Sequence, residues 1–200
     1  MPEQLSTEKQ AVILDAARKR FAYYGFSKVT MDEIAADVGM GKASLYYYFP
    51  TKESLFEEVI KQEKDQFFAD IQSMIEKKVS SCDMLRRYAA KRIEYFRTLA
   101  NLRALGLHQE RASSVELYKE FQQQEVNALQ QILQLGKKNG DFFVSSPQQS
   151  AEAIMQMLYG PRSWYIHKLQ RNLDDETFRL LDQATKEIVE IILNGIRKRK

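Results

Sequence analysis

The sequence predicts an all-α protein of about nine helices. Apolar residues recur at helical spacing through almost the whole chain, and no segment alternates apolar and polar residues as a half-buried strand would. Only four prolines and eight glycines interrupt the 200 residues, which is typical of long helices joined by short turns. We expect an N-terminal three-helix bundle over residues 1–50 and a larger helical domain over residues 51–200.

Composition narrows the class of protein. The 44% hydrophobic and 28% charged residues are typical of a globular protein, and no apolar run approaches the ~20 residues needed to cross a bilayer. The first residues lack the basic and then apolar pattern of a signal peptide. Cys82 is the only cysteine, so an intramolecular disulfide is impossible and a cysteine-based metal site is not expected. We therefore expect a cytoplasmic protein with no cofactor, no metal ion and no membrane contact.

Bulk charge gives no support to nucleic-acid binding. The chain carries a net charge of +3, yet residues 1–60 contain seven Lys or Arg and nine Asp or Glu, a net charge of −2. Any DNA contact must therefore depend on a few well-placed hydrogen-bond donors.

Start and stop signals delimit the first three helices. A helix over 9–24 would end at Gly25, because glycine tolerates the positive φ common at a helix end. A second helix begins at Thr30, an N-cap residue with Glu33 as its capping-box partner. The turn at 39–41 then leads into a third helix over 42–49. The first apolar stripe consists of Ile13, Ala17, Phe21 and Tyr24, and the second of Met31, Ile34, Ala35 and Val38.

Residues 30–49 have the pattern of a helix-turn-helix, two short helices joined by a turn containing glycine. We expect Leu45 and Phe49 to be buried as an i, i+4 pair, which leaves the start of the third helix and its tyrosines pointing outward. In such motifs the second helix presents its N-terminal side chains to base edges in the major groove. Tyrosine hydroxyls can donate to phosphate oxygens, and the rings can lie against sugars and thymine methyl groups.

The residues of this segment also resemble a known family. Ile13-Leu14-Asp15-Ala16-Ala17, Phe21, Tyr24-Gly25, Thr30-Met31-Asp32-Glu33-Ile34-Ala35 and the run from Gly39 to Phe56 resemble the DNA-binding domain of TetR-family (TetR/AcrR) transcriptional regulators. The resemblance covers about a quarter of the chain. It implies an all-α homodimeric repressor that binds a near-palindromic DNA operator. A small molecule bound in the C-terminal domain would release that operator.

Eight DNA-binding residues follow from the resemblance. They are Thr30 as a helix cap that touches phosphate, Lys42, Ala43 and Ser44 as base-facing residues, Tyr46, Tyr47 and Tyr48 as aromatic residues that bind the DNA backbone, and Lys52 as a phosphate-binding lysine. Two positions depart from the family pattern. Gly41 stands where many members have a Ser or Thr cap, and Tyr48 stands where many have histidine. The first departure is expected to cost about 0.5 kcal/mol, because Gly caps a helix nearly as well as a hydroxyl residue.

The C-terminal part is expected to supply the dimer interface. Helices are predicted from 52 into the high seventies and at 83–99, 102–112, 114–139, 147–170 and 174–198, with Gly160-Pro161 kinking or splitting the fifth of these. The wide apolar faces of the last two helices agree with self-association, although both could instead enter the core of a single chain. The expected interface residues are Ala151, Ile154, Met155, Leu158, Phe178, Leu181, Ile188, Ile191 and Ile192.

A ligand pocket is expected among the middle helices, although aromatic residues at helical spacing more often belong to the core. The candidate residues are Tyr88, Arg92, Tyr95, Phe96, His108, Arg111, Tyr118, Phe121, Tyr159, Trp164, Tyr165 and His167. If Arg92 and Arg111 point inward, they favour an anionic ligand. Neither histidine is expected to bind a metal ion.

Other classes of function remain as alternatives. No glycine-rich phosphate loop, nucleophile elbow or paired His and carboxylate motif is present, so the sequence does not predict an enzyme. A helical small-molecule carrier or interaction module without DNA binding is the main alternative. An activator with the same DNA-binding module is a further one.

Overall fold

A computed structural model describes residues 2–77, 79–101, 112–168 and 174–196, without the side chains of residues 2–6, 112–114 and 166–168. The predicted all-α fold is confirmed. The helix predicted at 102–112 lies outside the described residues. None of the described helices has the length and apolar composition needed to span a membrane. The helices are α1 (Pro2–Tyr24), α2 (Met31–Asp37), α3 (Lys42–Tyr48), α4 (Lys52–Glu76), α5 (Ser81–Thr98), α6 (Ala112–Lys138), α7 (Pro147–Arg162) and α8 (Asp175–Ile196), with a 3-10 helix at Phe26–Lys28 and a π-helical segment at Ser163–Lys168.

The chain divides into two compact units. The first contains Met1–Gln66 and Leu99–His108, and the second contains Phe67–Thr98 and Gln109–Lys200. The division falls inside α4, later than the boundary expected at residue 50. That helix therefore contributes buried residues to both cores, such as Leu55 in the first unit.

In the first unit, α1 packs against α2 and α2 packs against α3. Ile13, Ala17 and Phe21 are buried as predicted, but Tyr24 of the same expected stripe is 53% exposed. The ring of Phe26 lies 5.6 Å from that of Phe21 and completes the core at this end, so Tyr24 stays on the surface. The buried core consists of Ile13, Leu14, Ala17, Phe21, Val29, Met31, Ile34, Ala35, Leu45, Phe49, Leu55 and Val59.

In the second unit, α5 packs against α6 and α8, and α7 packs against α6 and α8. A single glycine of α6 makes room for the segment that connects α6 to α7. Phe142 is buried against Gly136 of α6, and its ring occupies the space that a Cβ atom on that residue would need. Cys82, the single cysteine of the chain, is buried in the first turn of α5 with 9% exposure.

The predicted irregularity of the seventh helix is present. α7 continues through Pro161 and ends at Arg162, and the π-helical geometry begins at Ser163. Proline supplies no N–H donor and its ring crowds the preceding turn, so the regular hydrogen-bond ladder is weakened around it. At the N-terminal end of α7, Pro147 lies in the first turn, where its missing N–H would have no partner within the helix. Ser146 caps the helix.

The residues expected at the dimer interface need correction. Seven of them are already buried inside the single chain, with exposures of 8% or less, so they cannot also face a partner. The apolar stripes of α7 and α8 that we assigned to self-association instead pack into the core of the second unit. These residues are Ala151, Ile154, Met155, Leu158, Phe178, Leu181 and Ile192. Ile191 is 69% exposed and Ile188 is half-buried, so both stay as predicted interface residues.

Candidate nucleic-acid interface

The start of α2 is fixed by the capping box that the sequence predicts. The hydroxyl of Thr30 accepts a hydrogen bond from the Glu33 N–H at 3.3 Å, and the Thr30 N–H donates to the Glu33 carboxylate at 2.8 Å. The Thr30 hydroxyl also donates to that carboxylate at 2.9 Å. These bonds, led by the one from the Thr30 backbone, lower the pKa of Glu33. The cap satisfies free N–H groups at the helix start and thereby orients α2.

A charged contact fastens α1 to α2. The Arg20 guanidinium donates through Nε and Nη2 to the two carboxylate oxygens of Asp37, the second at 2.8 Å, and lies 3.6 Å from Glu33. The bond from Arg20 lowers the pKa of Asp37. Bidentate arginine–carboxylate pairs fix geometry as well as charge. This pair therefore holds the two helices that support α3.

α3 is held by its apolar side and presents the opposite side to solvent. Leu45 has 0% exposure and Phe49, the residue after the helix, has 7%. Gly41 caps the helix without a side-chain hydrogen bond, as expected for glycine there. Tyr47 is 83% exposed and Tyr46 is 39% exposed. The exposed face also carries Lys42, Ala43 and Ser44.

Tyr48 differs from its two neighbours. It is half-buried and packs against the core of the first unit, and its ring lies edge-on to that of Tyr47 at 5.4 Å. Tyr47 therefore stands furthest out, with Tyr48 as a support behind it.

Lys52 has intrachain partners that the sequence did not predict. Its ammonium donates to the backbone carbonyls of Phe26 at 3.0 Å and Val29 at 2.8 Å, and it lies 4.5 Å from the centre of the Phe26 ring. The side chain is half-buried in this position. The lysine therefore ties α4 to the segment between α1 and α2, and its phosphate contact stays a prediction.

Lys42 also has an intrachain partner that the sequence did not reveal. Its Nζ lies 2.9 Å and 3.0 Å from the two carboxylate oxygens of Asp32. The hydrogen bond to Asp32 raises the pKa of Lys42. The two residues are ten positions apart and meet only because the turn folds α3 back beside the start of α2. Periodicity carries no signal for such a pair.

In the second unit, three polar side chains surround Glu125, which has 1% exposure and which the sequence did not single out. Its carboxylate accepts hydrogen bonds from Arg92 Nε at 2.5 Å, from the Tyr88 hydroxyl at 3.3 Å and from the Tyr159 hydroxyl at 2.8 Å. The guanidinium of Arg92 also lies 4.7 Å from the centre of the Tyr159 ring. Tyr88, Arg92 and Tyr159 are among the predicted pocket residues, whereas Glu125, which accepts a hydrogen bond from each of them, is not.

Burial and charge set the ionisation of this cluster. Burial raises the pKa of the Tyr88 hydroxyl, and the neighbouring Glu125 raises it further. The same two causes raise the pKa of Tyr159. Burial, the largest single effect, lowers the pKa of Arg92, but Glu125, Tyr88 and Tyr159 together outweigh it and leave the pKa raised. Arg92 does point inward, yet Glu125 neutralises its charge, so the argument for an anionic ligand loses its basis.

The other ligand candidates differ in exposure. Tyr95 is buried and donates to Asp70 at 2.5 Å, and Trp164 is 55% exposed. Phe96, Tyr118, Phe121 and Tyr165 are half-buried. His108 and Arg111 lie outside the described residues, as does the side chain of His167.

A separate groove of about 400 Å³ lies between α4 and α5. It contains acidic and basic residues together, and none of the predicted ligand residues lines it. The lining residues are Asp70, Ser73, Met74, Lys77, Arg87, Ala90, Lys91 and Glu94.

Comparison with known proteins places this architecture. The sequence pattern of the family described as bacterial regulatory proteins, tetR family, matches residues 13–59. A transcriptional regulator from Cytophaga hutchinsonii ATCC 33406 is 36% identical in sequence, with a TM-score of 0.86 over 95% of this chain and 99% of that chain. The chain belongs to the TetR family.

Other similar proteins match less of the chain or share less sequence. The HTH-type transcriptional regulator RutR of Escherichia coli K12 is 37% identical over 68 residues, which are 34% of this chain and 32% of RutR. This chain thus spans about a third of the length of the curated relatives it matches. FadR of Bacillus subtilis, in complex with stearoyl-CoA, is 20% identical with a TM-score of 0.68 over 94% of this chain and 99% of that chain, which shows the fold.

Proposed function

We propose that this chain is a ligand-responsive transcriptional repressor that binds a near-palindromic DNA operator as a homodimer. The exposed face of α3 is the observation that carries the proposal. Tyr46 and Tyr47 project from a helix anchored by Leu45 and Phe49, beside the small residues Ala43 and Ser44 that allow close approach to bases. Membership of the TetR family and the resemblance to a regulator over almost the whole chain support the same function.

The tyrosines would supply most of the backbone contacts. A phenol hydroxyl can donate to a phosphate oxygen without needing a net positive protein surface, which agrees with the net charge of −2 over residues 1–60. Two copies would place their α3 helices about 34 Å apart in successive major grooves. Binding of chromosomal DNA would place the protein in the cytoplasm.

Dimerisation would use the outward side of the last helices. Ile191, Met157 and Trp164 are 52–69% exposed apolar residues of α8, α7 and the π-helical segment. Large apolar side chains left in water favour association with a second surface. These three residues replace the buried ones that the sequence suggested.

The effector would bind in the second unit, close to Tyr88, Arg92 and Tyr159. Regulators of the same fold are known in complex with choline and with stearoyl-CoA, so the architecture accommodates chemically different ligands. The Glu125 cluster supplies fixed polar groups, and such groups give ligand sites orientation and specificity. Release of DNA requires that the effector bind the DNA-free arrangement more tightly than the DNA-bound one.

The DNA-binding function is tested by selecting duplexes from a random library with the purified protein and measuring affinity by fluorescence anisotropy. We expect enrichment of a palindromic sequence bound by two chains. Tyr47→Ala should weaken binding at least tenfold with an unchanged circular dichroism spectrum. Tyr23→Ala is the matched control, because Tyr23 is equally exposed at 82% but lies on α1. Failure to enrich any duplex at low salt would favour the carrier or interaction module.

A further inference from the structure

The contact between Lys42 and Asp32 lies on the surface that the proposed function assigns to DNA. The ammonium of Lys42 lies within 3.0 Å of both oxygens of the Asp32 carboxylate. The two side chains are 61% and 62% exposed, so solvent or a ligand can reach both. Lys42 is the first residue of α3, and Asp32 lies in the first turn of α2.

Lys42 is the only charged residue of α3, whose sequence is Lys-Ala-Ser-Leu-Tyr-Tyr-Tyr. Its pairing therefore decides whether this helix offers any cation to DNA. Other cations of the first unit are also paired within the chain, since Arg18 and Lys19 contact Asp15. In the structure, the anionic partner of Lys42 is Asp32.

We propose that Asp32 competes with DNA for Lys42 and thereby limits the affinity of α3 for the phosphate backbone. The inference rests on the proposed DNA-binding function. A carboxylate and a phosphate both accept hydrogen bonds through anionic oxygens. The Lys42 ammonium must therefore loosen its contact with Asp32 when it contacts a phosphate. On DNA of arbitrary sequence, where only phosphate contacts are available, Lys42 stays with Asp32. The protein then neutralises one phosphate fewer than it would if Lys42 were released from Asp32.

Salt dependence gives this competition a specific signature. Each phosphate neutralised by a protein cation contributes about −0.9 to the slope of log affinity against log salt concentration. Asp32→Asn removes the competing charge and keeps a side chain of similar size. The variant should bind a scrambled duplex about two- to fivefold more tightly at 0.1 M salt, the range expected for loss of an exposed ion pair. Its slope should be steeper by about 0.9.

Removing any acidic residue near DNA also weakens general repulsion, so a double-mutant cycle is needed. Wild type, Asp32→Asn, Lys42→Ala and the double variant are compared on the scrambled duplex and on the selected palindrome, from 0.05 to 0.3 M salt. If Asp32 acts through Lys42, Asp32→Asn has no effect on affinity or slope in the Lys42→Ala background. Thermal unfolding of all four proteins checks that the Thr30 cap is intact.

The outcomes separate the inference from the function beneath it. If the wild-type protein binds no duplex, the proposed function is wrong. A wild type that binds, with an Asp32→Asn variant of unchanged affinity and slope, overturns the competition alone. An equal gain from Asp32→Asn with or without Lys42 also overturns it, because general repulsion then accounts for the whole effect.

Discussion

The buried pair of Arg92 and Glu125 gives the sharpest test of the second unit. The Arg92 side chain is 11% exposed and that of Glu125 is 1% exposed. A guanidinium cannot lose its proton in a protein, so Glu125→Gln leaves a buried cation without its counter-charge. Breaking such a pair by removing one partner costs about 3–5 kcal/mol, and we expect about 3 kcal/mol here because the glutamine oxygen still accepts one hydrogen bond.

Removing both charges should cost less than the sum of the two single removals. In the Arg92→Met, Glu125→Gln double variant, the glutamine oxygen can accept from a tyrosine hydroxyl and no unpaired charge is buried. We expect the double variant to regain roughly 2 kcal/mol relative to the sum of the single variants. Urea unfolding followed by circular dichroism measures this, at one fixed protein concentration because the proposed dimer links stability to concentration.

An exposed pair in the same unit serves as the control. Arg86 donates to both carboxylate oxygens of Glu190, at 2.6 and 3.0 Å, but the side chains are 42% and 48% exposed. Glu190→Gln should therefore cost under about 1 kcal/mol. Additive effects of the Arg92 and Glu125 substitutions, or equal losses at the buried and exposed pairs, would refute the view that burial makes the cluster costly to break.

Three further outcomes test the local structure. Gly136→Ala should destabilise the protein by about 1–3 kcal/mol, because the new Cβ would overlap the buried ring of Phe142. Gly160→Ala is the control and should not destabilise the protein, because Gly160 faces open space in α7. Equal melting temperatures of the two variants would contradict this. Thr30→Ala removes the α2 cap and should cost about 1 kcal/mol in urea unfolding. Because Arg20 lowers the pKa of Asp37, their contact stabilises the fold above the ordinary carboxyl value of 3.8, and that contribution is lost as pH falls below it. Asp37→Asn should therefore flatten the acid limb of a melting-temperature profile, and an unchanged limb would rule the contact out as its cause.

Local signals were sufficient to predict the helix-turn-helix. The capping box at Thr30, the turn glycines and the i, i+4 pair of Leu45 and Phe49 are all encoded within a few residues. Such features depend on backbone geometry that neighbouring residues determine, so the sequence displays them directly. The exposure of Tyr46 and Tyr47 follows from the same pair, because a helix with one buried face leaves the other exposed.

Contacts between distant residues could not be predicted in this way. Lys52 meets carbonyl groups 26 and 23 positions away, and Arg92 meets Glu125 across 33 positions. The dimer face was misassigned for a related reason. A helix with a broad apolar stripe does not reveal which edge enters its own core, so Ile192 is buried while the adjacent Ile191 faces solvent.

The burial of Cys82 makes the chain convenient for distance spectroscopy. Because the native thiol is buried in α5, an Ala36→Cys variant would carry its one accessible thiol on the exposed side of α2, next to α3. A nitroxide attached there would appear twice in a symmetric pair of chains. Pulsed electron paramagnetic resonance would then measure the distance between the α2 helices of the two chains, with and without operator. The native cysteine would not need to be changed.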